Sequence, residues 1–334
     1  MGRQRRDGYH GSAWQARSWG SGRQITREAR SATLLARHQS VVRPRSAWIP
    51  EVTETDDRIG IVGAGRVGSA LARRLAERGS PPVLITSRTL ADAAGLANLV
   101  GAQVAATSAQ VAAECQVTIL AVPDSELARV ADSLVELLPV GASLTGRVVA
   151  HCAGVHGTEL LSPCSRIGAA TGVLHPLAPI PDGDPACLEG AYASIAGDEA
   201  AVAALEAVSA RLGLVSFRID GVDRALYHAA AALAGILPVL IEQQAERAMA
   251  ASGAPIQGVA GLRQLLLLAA ENVRRLGPWA ALSGPSTRAD DDTTELHRQA
   301  LAGVDAALEE LYRLTLALAA EASPETHRGV PGDD

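Results

Sequence analysis

A chain of 334 residues, 48% of them apolar, can bury the cores of two domains and has the composition of a globular, helix-rich protein. Its net charge of -6 and pI near 5.8 disfavour non-specific nucleic-acid binding, and because all 30 basic residues are Arg, no chemistry that needs a Lys is open to it. The four cysteines, Cys115, Cys152, Cys164 and Cys187, include no C-x-x-C pair, so neither a zinc site nor a disulfide framework is signalled, and free thiols in a reducing cytoplasm are expected.

The first 50 residues carry ten Arg against Asp7 and Glu28, with three Trp and no sustained period. They sum to about +8, which leaves about -14 on the rest of the chain. Residues 1–56 are therefore read as a disordered Arg-rich extension outside the fold. The folded body starts at "DRIGIVGAGRVGSALARRLAERGSPP". Arg58 to Val62 is a short apolar strand. A helix follows from Gly65 to Arg78, with Val67, Leu71 and Leu75 at helical spacing and Gly79 as its stop. "PVLIT", "VTILAVPD" and "RVVAHCAG" are further apolar strands with helical segments between them. This alternation predicts an α/β fold, a Rossmann-type doubly wound parallel sheet covered on both faces. "GVLHPL", "YASIAG" and "LVSFRI" extend the sheet to about residue 220. From 221 to 323 the pattern becomes Ala/Leu helices, an all-helical C-terminal domain, and 324–334 reads as a disordered tail. The 17-residue run Ala225 to Ile241 is short for a bilayer span, so a buried helix is expected and no membrane role.

Gly63, Gly65 and Gly68 complete a G-x-G-x-x-G between a strand and a helix, the context in which that triplet holds a dinucleotide. The glycines permit a tight turn, close approach of the backbone to a pyrophosphate, and close helix–sheet packing. Gly63, Ala64, Gly65, Arg66, Val67 and Gly68 are the expected phosphate loop. The next strand ends in Thr86-Ser87-Arg88-Thr89 and not in the acid that would bond ribose hydroxyls. Ser87, Arg88 and Thr89 therefore point to NADP(H), the alternative being a surface Arg88 without a ligand. Val122 and Pro123 end a third strand and are expected to pack on the cofactor, with Asp124 as a helix cap. His151 and His175 end two more strands. For His151 a buried ring satisfied by backbone competes with a role at the substrate.

In this order, "IGIVGAGRVGSALA", "LAVPD", "HCAG", "LHPL", "LYHAAAALA" and "ALSGPSTRADDDTTELH" resemble bacterial oxidoreductases that join a Rossmann-like domain to domain of unknown function 2520. The resemblance spans about residues 57 to 320 and extends in architecture to pyrroline-carboxylate reductases and 6-phosphogluconate-type dehydrogenases. It implies reduction of a small carboxylate-bearing carbonyl compound, since some members are regarded as alternative ketopantoate reductases supplying pantoate for coenzyme A. Three positions depart from the family pattern. Ala153 stands where Ser is frequent, Ile236 where an Asn is common, and Ala289 where Gly is usual.

Hydride transfer to a carbonyl leaves charge on oxygen, and something must donate a proton there. With no Lys, His228 in "ALYHAAAALA" is the leading acid and His175 the alternate. Asn272 on a preceding helix is a further candidate. The segment around Gly284-Pro285 breaks the helices, which leaves Arg288 free to take a substrate carboxylate, with Asp290, Thr293 and His297 at the same rim. The other reading of this segment is a surface loop with capping Asp residues. A homodimer through the helical domain is expected by analogy with related architectures. Reduction of an imine, or cofactor sensing without turnover, are the rival functions.

Overall fold

The computed structural model describes residues 58–284 and 290–321. Each apolar run in the first half of the chain becomes a strand. β1 (Ile59–Val62), β2 (Leu84–Thr86), β4 (Val117–Leu120) and β5 (Val148–His151) are buried at every position, as strands between two helix layers must be. The intervening edge strand β3 (Gln103–Val104) has two residues, too few to leave a periodic signal. Between the strands lie α1 (Arg66–Glu77), α2 (Leu90–Val100), α3 (Ser108–Glu114), α4 (Leu127–Glu136) and α5 (Ser162–Arg166). Leu71 and Leu75, one turn apart on α1, are fully buried. That helix ends where Gly79 takes φ 76° and Ser80 N–H returns to the Leu75 carbonyl.

Successive side chains of each strand feed opposite faces. Ile61 and Ile119 join one core under α1 and α2, while Val62 and Leu120 join the other with Leu134 and Leu161. With β6 (Ala170–Leu177), β7 (Tyr192–Gly197) and β8 (Val215–Arg218), the strand order is β3-β2-β1-β4-β5-β6-β7-β8. Every ladder from β3 to β6 is parallel. The sheet departs from the parallel sense at one ladder. β7 pairs antiparallel with β6, placing His175 opposite Ser194. The connection before it holds only a short 3-10 turn, Pro185–Leu188, and no crossover helix, so the chain returns in the opposite sense. α6 (Glu199–Leu212) then carries the chain to β8, parallel to β7.

The remainder is helical: α7 (Arg224–Gly235), α8 (Leu237–Ala251), α9 (Ile256–Leu276), α10 (Pro278–Ala281), α11 (Asp291–Val304) and α12 (Ala306–Glu321). α7 packs on α8, α8 on α9, and α11 on α12. No residue of α7 through α11 is buried, and α12 buries only Leu308. The run Ala225 to Ile241 was expected to be a buried helix. It is instead divided into α7 and α8 near Ile236, where Pro238 lacks the N–H to continue the ladder, and it lies exposed. These helices form thin pairs, and no further layer of the described chain covers them. Taken together, Arg224–Ala251 has the length and mean hydropathy, 1.6, to cross a bilayer, but a single stretch of that kind is weak evidence.

Candidate active site

The turn after β1 assigns each glycine a different task. Gly63 has φ 113°, and a Cβ there would lie 2.3 Å from the Ala121 carbonyl oxygen. A Cβ on Gly68 would lie 1.9 Å from the Gly63 oxygen, so only Gly lets α1 approach the strand this closely. Gly65, between them, would meet nothing within 4 Å. It is the N-cap of α1 and offers no side chain to the first-turn amides, which leaves those donors for a ligand. Gly63, Ala64 and Gly65 line a cleft of about 530 Å³ together with Ser87, Arg88, Val122 and Pro123. Arg66, Val67 and Gly68 do not line it, and Val67 packs on the core instead.

Ser87 Oγ accepts from the Ala64 N–H at 3.4 Å, tying the end of β2 to the glycine turn. Arg88 is exposed at the same cleft. Thr89 is a correction: it does not line the cleft, and its hydroxyl caps α2, accepting from Asp92 N–H and bonding the Asp92 carboxylate. The nearby acids are already engaged, Asp92 by Thr89 and Glu126 by Arg129. Arg129 on α4 lines the cleft and was not anticipated.

Beside this cleft, at the carboxyl ends of β5 and β6, the rings of His175, Tyr227 and His228 meet. His175 stands edge-on to both, with centroids 5.7 Å from Tyr227 and 5.5 Å from His228. Gly154 makes room for them, since a Cβ there would lie 2.7 Å from atoms of both histidines. Tyr227 donates to Ser194 Oγ at 2.9 Å and lies 2.9 Å from His175 Nδ1. A phenol has one proton, so in that bond His175 Nδ1–H is the donor. The neutral ring then carries its lone pair on Nε2, 2.8 Å from the point a Gly154 Cβ would take. Burial lowers the His175 pKa to about 4, helped by His228 and opposed by Asp124. At neutral pH, then, the His175 ring is uncharged.

His151 is a second correction. It is fully buried, Nδ1 accepts from Ala153 N–H at 3.2 Å, and Nε2 donates to the Gly157 carbonyl at 2.8 Å. Both nitrogens are spent on backbone and none is left for a substrate. Cys152 is no nucleophile either, because burial pushes its thiol up to about 12. Asp290 caps α11 by accepting from Thr293 N–H at 3.2 Å, so both serve the helix start. His297 pairs with the Tyr312 hydroxyl at 2.8 Å on α12. Asn272 is exposed on α9 and accepts from Arg275 at 3.3 Å. None of these four bonds to the histidine cluster within the described residues. Arg288 and Ala289 lie outside them.

Two further cluster members were missed, Ser194 and Arg224. Spacing could have found the second, because Arg224, Tyr227 and His228 stand at i, i+3 and i+4 and share a face of α7.

A twisted, mostly parallel sheet whose glycine-rich first turn opens on a cleft at the carboxyl edge is the frame of dinucleotide-binding proteins. Residues 44–176 match a Rossmann-like domain and residues 191–319 match the domain of unknown function DUF2520, so the chain joins these two domains. No curated protein matches the sequence. Among solved structures, protein BF3122 from Bacteroides fragilis is similar at 23% identity, covering 80% of this chain and 98% of its own, with TM-score 0.65. Protein TM1727 from Thermotoga maritima is similar at 21%, covering 79% and 98%, with TM-score 0.64. A reductive aminase from Aspergillus terreus, in complex with NADPH and ethyl-5-oxohexanoate, is similar at 21%, covering 80% and 94%, with TM-score 0.60. At these identities the likeness is one of fold.

Proposed function

We propose that this chain is an NADPH-dependent reductase of a small carboxylate-bearing carbonyl compound, with ketopantoate the first substrate to try. The observation that carries the proposal is the adjacency of two features. One is a glycine turn whose Gly65 opens on the cleft. The other is a histidine–tyrosine cluster at the ends of the next strands. The residues present fit a dinucleotide with a 2'-phosphate. The α1 N-terminus and Gly65 suit the pyrophosphate, and the Arg88 fork at the same cleft suits the extra phosphate. The fold shared with a reductive aminase that binds NADPH is in keeping with this.

When bound, the cofactor supplies the hydride. The chain's own groups position the substrate and handle the proton. His228 is the donor to the developing oxyanion. The Ser194–Tyr227–His175 chain fixes the orientation of the His175 ring beside it. A second reading, reduction of a C=N bond, is favoured by the absence of Lys and by the reductive-aminase likeness. An iminium carbon accepts hydride without a strong proton donor beside it. Following NADPH absorbance with a panel of 2-oxo acids and cyclic imines separates the two. Turnover of an acid that falls at least a hundredfold in His228→Ala, with NADPH affinity kept, supports the carbonyl reading. Imine turnover that tolerates His228→Ala supports the other. Tight NADPH binding with no turnover of either class would leave only a sensor.

We further propose a cytoplasmic homodimer built through the helical region. Leu265, Leu267 and Leu268 of α9 are 61%, 64% and 53% exposed, and Leu233, Leu240 and Leu318 present similar apolar surface. Isolated pairs of helices with such faces need a further layer, and a second copy supplies a self-complementary one.

A further inference from the structure

We propose that Arg224 is the anion anchor of the histidine cluster and that it selects substrates bearing a carboxylate next to the reacting carbon, a 2-oxo or 2-imino acid. The proposal deepens the reductase reading and rests on it only for what is reduced. Arg224 is the first residue of α7. Its Nη1 is shut off from solvent and has no hydrogen-bond partner. A guanidinium nitrogen in that condition is costly unless a ligand completes it. No carboxylate is hydrogen-bonded to that nitrogen. Asp223 caps α7 by accepting from Leu226 N–H at 3.0 Å. Glu159 accepts from Gly157 N–H at 3.0 Å and lies 3.9 Å from His156. Arg224 Nε lies 3.5 Å from the point that a Cβ on Gly157 would occupy, which sets the guanidinium along the loop that holds His151.

The position is right for an anchor. Arg224 and Tyr227 are one turn apart on α7, and the Arg224 charge acts on His151, His175 and Tyr227 alike. A carboxylate on Nη1 would hold its substrate at the α7 face that carries Tyr227 and His228. Arg gives the planar, fixed donor geometry that such a group needs. The competing arrangement is a swing of Arg224 onto Glu159, which would fill the anchor internally.

The test is a binding comparison, made on full-length protein with and without NADPH, using 2-oxobutanoate and its neutral amide as probes in calorimetry. The acid is expected to bind at least tenfold more tightly than the amide. Arg224→Gln should bring the two within about twofold while leaving NADPH and amide affinity unchanged, and Arg224→Lys should restore part of the preference. Glu159→Gln, which removes the nearest competing charge without touching the anchor, should tighten the acid several-fold. Equal binding of acid and amide in the natural protein, no binding of either, a preference that survives Arg224→Gln, or no tightening in Glu159→Gln would each overturn the proposal. Because these are affinities, failure to turn over any substrate would sink the reductase reading alone. Absence of the acid preference in the natural protein would sink the anchor alone.

Discussion

The sheet region and the helical region draw on the same few apolar residues and treat them differently. Ile61, Leu71 and Ile119 are 0% exposed among strands and covering helices, whereas Leu267 of α9 is 64% exposed and Leu226 of α7 is 69%. Two helix layers close over the sheet, so its apolar residues are covered by the chain that carries them. From Arg224 onward α7 packs on α8, α8 on α9 and α11 on α12, and their apolar residues stay exposed. An apolar helix is thus evidence for burial somewhere, but not for burial inside its own chain.

The sharpest test of this contrast is a matched pair of substitutions. Leu71→Ala, in the closed core, should cost about 2–5 kcal/mol at any protein concentration, read by denaturant unfolding. An unfolding midpoint that moves with concentration for this variant alone would mean that the sheet region also depends on a partner. The next effect concerns acid. Burial holds His175 at a pKa of about 4, below the usual histidine value of 6.5, so the unfolded chain takes up its proton first. Stability is therefore full above pH 6.5 and falls as the pH drops toward about 4, by at most roughly 3 kcal/mol from this residue. His151, also lowered chiefly by burial, adds to the same slope. His175→Asn should flatten the dependence in melts between pH 7 and 4, and an unchanged slope would show that the ring is not buried neutral.

On the open helices, Leu268→Glu should weaken self-association tenfold to a hundredfold by light scattering, with secondary structure intact. If the helices act alone, the same change should move stability by no more than about 0.5 kcal/mol and leave the mass unaltered. The smallest effect lies at the cofactor cleft. Arg88→Ala is expected to weaken NADPH about tenfold, close to 1.4 kcal/mol, and to leave NADH unchanged in a fluorescence titration. Equal losses for both cofactors would remove Arg88 from any role in choosing between them.

Much of the sheet was legible because its signals are local. Apolar runs bounded by Gly, Pro and capping residues became β1, β2, β4 and β5, and the two-residue β3 was invisible because it has no period. The antiparallel β6–β7 ladder could not be read, since strand direction is set by how the connection runs through space. The candidate site was legible as residue types and much less as partners. Thr89 and Asp290 carry the right atoms for ligands and use them as helix caps. His151 lies at a strand end like His175, yet its loop folds back so that both nitrogens meet backbone. Ser194 was overlooked because only the β6–β7 register brings it to Tyr227.

By itself the sequence determined the things that act over one turn or one strand. These are the division into a sheet half and a helical half, the glycine turn with its three tasks, and the absence of any Lys to act as an acid. Tertiary structure alone decided which polar groups were already satisfied, because a hydrogen bond is made across the fold and leaves no mark on spacing. Among the described residues it left the buried Nη1 of Arg224 without a hydrogen-bond partner. It also decided that the apolar residues of α7 through α9 are not covered, since coverage depends on what packs above a face and not on the residues in it.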